Sequence, residues 1–350
     1  MQGVRVSAIV VNHRRPDLTR QCLAALATAL ERVPGGGEVV VVDNGSGDGS
    51  ADAIRAAAPA AELVELPRNV GFAAAAAIGI RRSRGDWVLL VNNDVLVEPS
   101  AVAELVAVGE FAPDIGSVAA QMRFASDPRV INSAGIGVDR LGTAYDRLLG
   151  APVAASESAP VEVFGASGGA ALLRRRMLDA VGGIDESYFF GLEDADLAWR
   201  ARMAGWRCLY APRAVVHHRH GATGSHGSDL KYFHVGLDRV RTLAKNADRG
   251  HLLRYGLAIV AYDLAQVAFA GVTDRTTAPL RGRLRGLLEW RRYRRAGAGR
   301  VPVALDPVRG PRAALGRRSV WARHSAVSER AAAADHGRER LEQDLDVLSK

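Results

Sequence analysis

Asp86–Val97 reads DWVLLVNNDVLV. Trp87 to Val91 is an unbroken apolar run, as expected of a strand buried on both faces of a parallel sheet. It stops at Asn92-Asn93-Asp94, which delivers three polar side chains to one end of a hydrophobic strand. In open α/β sheets, ligands bind outside the carboxyl ends of the strands. A carboxylate placed there can hold a divalent cation, and the cation can hold a diphosphate. Taken alone, Asn-Asn-Asp reads equally well as a strand-terminating turn, so the rest of the chain decides.

Upstream, Val4–Val11 is a first strand, and Pro16-Asp17 open a helix from Leu18 to about Leu30 that the glycines after Pro34 end. Glu38–Val42 is a second apolar strand, closed by Asp43-Asn44-Gly45-Ser46, and Ser50 is placed to cap the next helix. Leu63–Leu66 is a third strand, closed by Pro67-Arg68-Asn69, and Gly71–Ile80 is Ala-rich and helical. This alternation predicts a doubly wound α/β layer with right-handed crossovers. Downstream follow a helix at Ala101–Val108, a strand at 115–122, and an irregular stretch over 123–160. Then come a strand near Ala170–Leu173, helices near Arg176–Val181 and Asp194–Ala204, and a strand near Cys208–Tyr210. From about Leu230 the chain turns helical, and Val327–Lys350 reads as a polar, mobile tail.

Composition sets bounds on function. The 350 residues, 48% hydrophobic and 24% charged, describe a soluble globular protein. Cys22 and Cys208 sit in apolar surroundings without metal-ligand spacing, which fits buried thiols in a reducing compartment. The apolar run at the N-terminus is too short for a signal peptide, so a cytoplasmic location is the expectation. The net charge of +8 is concentrated: Arg281–Arg318 holds twelve arginines against Glu289 and Asp306, leaving the remainder slightly acidic. Such a run meets anionic lipid or nucleic acid, or stays solvated. Neither the dinucleotide glycine pattern nor a Walker A lysine is present. A nucleotide site must therefore be built from side chains at strand ends.

Three strand ends carry acids or amides, namely Asp43-Asn44, Asn69 and Asn92-Asn93-Asp94. Three in succession line a shared crevice, with Asp43 suited to a base or ribose and Asp94 to a metal. Farther along stands Glu193-Asp194-Ala195-Asp196. Acids in a first helical turn complement the macrodipole, and Asp196 with Arg200 is an i,i+4 pair worth a few tenths of a kcal/mol. That accounts for Asp196 but leaves Glu193 and Asp194 behind the aromatic loop Tyr188-Phe189-Phe190-Gly191, where exclusion of water favours a basic carboxylate. His217 and His218 face opposite sides of an extended backbone, so at most one points into the crevice.

In order and spacing, six pieces resemble the inverting family 2 glycosyltransferases, particularly their bacterial rhamnosyltransferase-like branch. They are SAIVVNHRRPDL, VVVDNGSGDGS, NVGFAAAAAIGI, GDWVLLVNNDVLV, GASGGAALLRRRMLDAVGGIDESYFFGLEDADLAWR and PRAVVHHRHGAT, spanning residues 7 to 223. The resemblance implies a GT-A fold and an enzyme of the hexosyltransferase class. It would move a sugar, with rhamnose the suggested one, from a nucleoside-diphosphate donor to a glycan or lipid-linked acceptor in cell-surface polysaccharide assembly. It further implies that Asn12, Asp43, Asn44, Ser46, Asn69, Gly71, Phe72, Asn92 and Asn93 line the donor site. Asp94 and His218 would hold a divalent cation, Mn²⁺ or Mg²⁺; His218 is favoured over His217 by its distance to Gly221 and Thr223. Asp194 would be the catalytic base, with Glu193, Gly168 and Gly169 on the acceptor side. Asn92 and Asn93 stand where the strict family motif has acids, so Asp94 is its only carboxylate.

These readings divide the chain into a GT-A domain over 1–228, a helical extension over 229–300 and an Arg-rich linker and polar tail over 301–350. Within the extension, Leu257–Val272 is the longest near-apolar stretch, interrupted by Asp263 and Gln266. It is expected to pack on the core, being short for a membrane span. The sharper alternative is an interfacial helix, which with Trp290 and Tyr293 among arginines would place the enzyme on the anionic inner face of the plasma membrane. A non-catalytic nucleotide-sugar-binding or nucleic-acid-associated protein is the rival class. Retention of both Asp94 and Asp194 argues against it, and no nucleic acid is expected as a partner.

Overall fold

The computed structural model describes residues 5–219, 228–294, 302–310, 316 and 319–324. The first half runs β1 (Val6–Asn12), α1 (Pro16–Leu30), β2 (Gly37–Asp43), α2 (Ser50–Ala57), β3 (Glu62–Glu65), α3 (Phe72–Arg82), β4 (Trp87–Asn92), β5 (Val95–Val97) and α4 (Ala101–Gly109). Then come β6 (Ile115–Phe124), β7 (Asp127–Ser133), β8 (Ile136–Val138), β9 (Ala144–Asp146), β10 (Val161–Val163), β11 (Ala170–Arg174), α5 (Arg175–Val181), α6 (Glu193–Met203) and β12 (Arg207–His218). Three helices follow: α7 (Asp229–Asn246), α8 (Arg249–Thr273) and α9 (Ala278–Tyr293).

One mixed sheet carries the molecule, with the order β10-β12-β6-β11-β4-β1-β2-β3; β5 pairs with β12 and β7 with β6. The strands β4-β1-β2-β3 are mutually parallel, whereas β11 runs antiparallel to both β4 and β6. The apolar runs are buried on both faces. Val6, Ala8, Val10, Leu89 and Val91 pack toward α1 and α4, while Ile9, Val11, Val88 and Leu90 pack toward α3 and α5. The Ala-rich α3 lies close on β1, because a Cβ at Gly79 would stand 2.6 Å from Ile9 Cγ2.

Four departures from the sequence reading matter. The stretch 123–160 is not irregular; it contains the end of β6 and all of β7, β8 and β9. β8 and β9 are three residues each, and β7 is stepped by bulges against β6, so no periodicity announces them. The strand seen near Cys208–Tyr210 continues to His218, with a register shift at Pro212-Arg213-Ala214 that lets it pass a proline. Residues 302–310, assigned to a mobile tail, run along the core: Asp306 bonds to Val138, Arg140 and Tyr145. Finally, α8 does not bury its apolar length, since only Ile259 and Ala270 are fully covered. The tail Val327–Lys350 and parts of the Arg281–Arg318 run lie outside the described residues.

Candidate active site

The β1–β2 register pairs Asn12 with Asp43, so both side chains emerge at one sheet edge. Asn12 Nδ2 donates to Asp43 Oδ1 at 2.7 Å, and Ser46 donates through both its hydroxyl and its backbone N–H to the same carboxylate. Thr19, at 0% exposure on α1, joins this group to the next strand end: its hydroxyl donates to Asn12 Oδ1 at 2.8 Å and accepts from Asn93 Nδ2 at 3.1 Å. The ends of β1, β2 and β4 thus form one buried polar chain. Nothing in the sequence marked Thr19, because a threonine inside an amphipathic helix carries no signal until the strand ends are brought to it.

Asn44 does a different job from its neighbours. Its Nδ2 donates to Asn69 Oδ1 and Gly71 O, and its Oδ1 accepts from Val70 N–H, so its amide is spent clipping β2 to the 69–71 loop. Gly71 has φ +90°, and a Cβ there would stand 2.7 Å from Phe189 O, the atom that accepts the Phe72 N–H. Only glycine permits that closeness. The donor-side loop and the aromatic loop are therefore in direct contact.

Farther along the same carboxyl edge of the sheet, β5 pairs antiparallel with β12 and places His218 opposite Val95. His218 Nε2 lies 3.4 Å from Asp94 Oδ1, and Asp94 is only 3% exposed. His218 Nδ1 lies 2.8 Å from Asn132 Oδ1, an acceptor, so Nδ1 carries the hydrogen and Nε2 turns its lone pair toward Asp94. An oxygen donor and an imidazole nitrogen facing each other suit a divalent cation such as Mn²⁺. Among the described residues no third His, Cys, Asp or Glu joins them. His217 turns to the other face and meets Glu98 at 2.8 Å. Gly221 and Thr223 lie outside the described residues. Asn132 sits in β7, inside the stretch that was read as irregular.

The loop before β11 joins the two sides. Gly169 O accepts from Asn92 N–H at 3.0 Å, and Gly168 N–H donates to Asp194 Oδ2 at 3.0 Å. A Cβ at Gly169 would come within 2.6 Å of Met122 Cε. Asp194 opens α6 after Gly191 and Leu192, whose φ values of 90° and 67° are both left-handed. For a leucine that conformation costs of order 1–3 kcal/mol and persists only where its surroundings impose it. Here it aims Glu193 and Asp194 back toward Gly168. Both carboxylates border a small apolar cavity lined by Leu90, Ala171 and Leu197. Burial there raises both pKa values: Glu193, with Asp194 beside it, is pushed up to about 8, and Asp194 is raised despite the backbone N–H groups of Gly168 and Ala195. Burial therefore disfavours charge on both carboxylates of the pair.

A second tier lies behind α6. Asp196, at 0% exposure, accepts from Arg200 Nε at 2.8 Å, Lys245 Nζ at 2.9 Å and Asn246 Nδ2 at 2.9 Å. The i,i+4 pair foreseen from the sequence is present, but its surface-pair value is wrong, because Asp196 is a buried junction between α6 and α7. Lys245 also holds Asp185, whose pKa burial alone would raise; the ammonium and Ser187 bring it down to about 2. Arg241, from α7, reaches Asp238 at 3.0 Å, Glu289 of α9 at 2.6 Å and the Ser187 carbonyl at 2.7 Å.

The chain is similar in sequence and fold to known proteins. Residues 7–182 match the family described as glycosyl transferase family 2. The N-acetylglucosaminyl-diphospho-decaprenol L-rhamnosyltransferase of Mycobacterium tuberculosis is 31% identical over 232 residues, covering 60% of this chain and 74% of that protein. The structure of the mannosyltransferase PcManGT from Pyrobaculum calidifontis, in complex with GDP-Man and Mn²⁺, superposes with a TM-score of 0.53 at 20% identity, covering 93% of this chain and 87% of that one. That of GalNAc-T7 with UDP, GalNAc and Mn²⁺ gives a TM-score of 0.55 at 16% identity over 71% of this chain, which spans about half (49%) of that chain. The fold is GT-A, with a C-terminal helical region added. Because the family match extends over half of the chain and the fold agrees with it, the chain belongs to glycosyl transferase family 2.

Proposed function

We propose that the protein is an inverting, cation-dependent transferase that moves L-rhamnose from a nucleoside-diphosphate donor to a hydroxyl of a lipid-linked glycan. The observation that carries this reading is the Gly168-Gly169 loop, which bonds to the end of β4 through Asn92 and to Asp194 at the head of α6. One short segment thereby fixes the spacing between the donor side and a buried carboxylate. Rhamnose and a polyprenyl-diphosphate acceptor are supported by the similarity to the mycobacterial N-acetylglucosaminyl-diphospho-decaprenol L-rhamnosyltransferase.

In this reading Asp43, held by Asn12 and Ser46, accepts from the nucleoside, while Asn69, Gly71, Phe72, Asn92 and Asn93 shape the donor crevice. Asp94 and His218 would hold the cation, which supplies positive charge beside the departing diphosphate. Asn132 keeps the His218 lone pair turned that way. Asp194, with Oδ2 steadied by the Gly168 N–H, takes the proton of the acceptor hydroxyl as the acceptor oxygen bonds to the sugar and the sugar–diphosphate bond breaks. Burial that raises the Glu193 pKa works against a second negative charge beside Asp194. One base and one leaving group fit a single displacement, unlike the paired carboxylates of glycoside hydrolases.

The test is transfer from a nucleoside-diphospho-rhamnose to a short-chain polyprenyl-diphospho-N-acetylglucosamine, with the product's anomeric configuration read by NMR. Inverted product that disappears in chelator is the expected result. Retained configuration, or transfer indifferent to chelator, would sink the mechanism.

A further inference from the structure

We propose that the α8–α9 hairpin is an in-plane docking surface for an anionic lipid bilayer. Along α8 the residues Leu253, Leu257, Val260, Leu264, Ala268 and Val272 recur at helical spacing and form one outward stripe. Leu253 is 88% exposed, Leu257 90% and Val272 81%. At 1.5 Å per residue the stripe is about 28 Å long, and a soluble protein rarely leaves so long an apolar face uncovered without a partner. Beside it α9 presents Leu280, Leu284, Leu287 and Leu288, interleaved with the exposed Arg281, Arg285 and Arg292.

Charge decides the occupant. Between Ala278 and Arg294 four arginines are exposed, Arg281, Arg285, Arg291 and Arg292, and the one acid, Glu289, binds Arg241 and also accepts from Arg285 at 2.8 Å. Leucines with arginines alongside suit a surface that takes apolar side chains a few ångströms deep and offers anions at its rim. A second copy of this chain would bring the same arginines against each other.

The inner face decides the orientation. By length and composition α8 could cross a membrane. Its Asp263, however, binds Arg239 at 2.6 Å and Arg283 at 2.9 Å, and Tyr262 lies under the Arg239 guanidinium. Extracting α8 to span a bilayer would strand both guanidiniums, so the helix lies flat. α9 is locked onto α7 at Gly282, where a Cβ would stand 2.0 Å from Phe233 O. The hairpin tip is pinned to the head of α7: Tyr232 OH donates to Asp274 Oδ2 at 2.9 Å, and Thr276 Oγ1 donates to Asp229. On that same head His234 stacks on Phe189 at 4.7 Å and Lys231 stands over Phe190 at 5.7 Å. Phe190, Leu230 and Val235 are all exposed, so an apolar surface leads from the hairpin toward the loop preceding Glu193 and Asp194. A lipid-linked acceptor could leave its chain in the bilayer and present its sugar there. This inference rests on the function proposed above only for the acceptor; the docking surface stands on its own geometry.

The test is co-sedimentation of the full chain with vesicles of phosphatidylcholine alone or mixed with phosphatidylglycerol, free of donor and acceptor. Preference for the anionic vesicles by about tenfold is expected. Leu253→Glu/Leu257→Glu should lose it, and so should Leu253→Ser/Leu257→Ser, with unchanged urea midpoints showing that both fold. Phe111→Glu, at an exposed site on another face, should bind like wild type. Arg285→Gln/Arg292→Gln should bind more weakly and with a shallower salt dependence. Recovery with neither vesicle, or recovery that the α8 variants do not change, overturns the proposal. So does a concentration-dependent dimer in analytical ultracentrifugation that these variants abolish while no vesicle binding is seen, which would assign the face to a second copy. Each of those results leaves glycosyl transfer to a soluble short-chain acceptor unaffected, so the two readings fail separately.

Discussion

The two halves of the site are built on opposite principles. On the proposed donor side Asn93, Thr19, Asn12, Asp43 and Ser46 satisfy one another in a buried chain across three strand ends. On the proposed acceptor side Glu193 Oε2 has no hydrogen bond within the described structure, nor does Asp238 Oδ2 on the neighbouring α7. Burial pushes Glu193 up to about 8 and Asp238 up to about 7. The contrast separates two tasks. A pocket that recognises a fixed ligand benefits from side chains already locked in place. A group that must accept a proton benefits from an environment that penalises its charge. The uncomfortable half is held by the Asp196–Lys245–Asn246 junction and the Arg241 bonds behind it, so strain at Leu192 and stability at α7 belong together.

The largest effect that would sharpen this contrast is on turnover. Asp194→Asn keeps the shape but cannot take a proton, so kcat should fall by ~100-fold or more while donor affinity stays near wild type. Single-turnover kinetics and donor titration measure the two separately. A variant that lost donor affinity instead would merge the two halves into one. In the wild type, the acid limb of kcat/KM should lie above the usual carboxylate range, as burial of Asp194 requires.

Next comes the support behind the acids. Asp196→Ala removes the buried acceptor of Arg200, Lys245 and Asn246, which should cost about 3 kcal/mol in urea unfolding. A surface i,i+4 pair would cost only a few tenths, so a loss that small would show that the junction contributes nothing. The third effect lies on the metal side. Asn132→Leu removes the acceptor that sets the His218 tautomer, and Mn²⁺ affinity should weaken roughly 10–100-fold while Asp94 is untouched. Isothermal titration in the presence of nucleoside diphosphate reads it directly.

The last effect concerns pH. Glu193 has a folded pKa of about 8 against about 4.3 in an unfolded chain. Between those values the folded state holds the extra proton, so stability falls as pH rises through that window. Glu193→Gln removes this contribution, and its melting temperature should gain on wild type as pH increases from about 5 to 8. A constant difference across that range would mean that Glu193 is not desolvated.

Legibility in the sequence followed the same division. The ends of β1, β2 and β4 could be read directly, since an apolar run that stops at Asn or Asp states both the strand and where its polar end lies. The choice of His218 over His217 was readable only through spacing in a resembling family; the β5–β12 register supplies its cause by placing His218 beside Asp94. Thr19, Asn132 and Lys245 were invisible, being ordinary residues until distant elements meet them. Asp196 was misjudged because helical spacing reveals Arg200 but not the α7 residues that bury the pair.

What the sequence by itself determined is therefore the parallel layer, the crevice at its strand ends and the acids opening α6. Each is written locally, in hydrophobic period, in turn residues or in a helix start. What only the tertiary structure decided is the orientation of His218, the burial of Glu193 and Asp196 and the outward face of α8. These depend on which remote side chains exclude water or donate a hydrogen bond, and that is a property of packing between elements rather than of spacing within one.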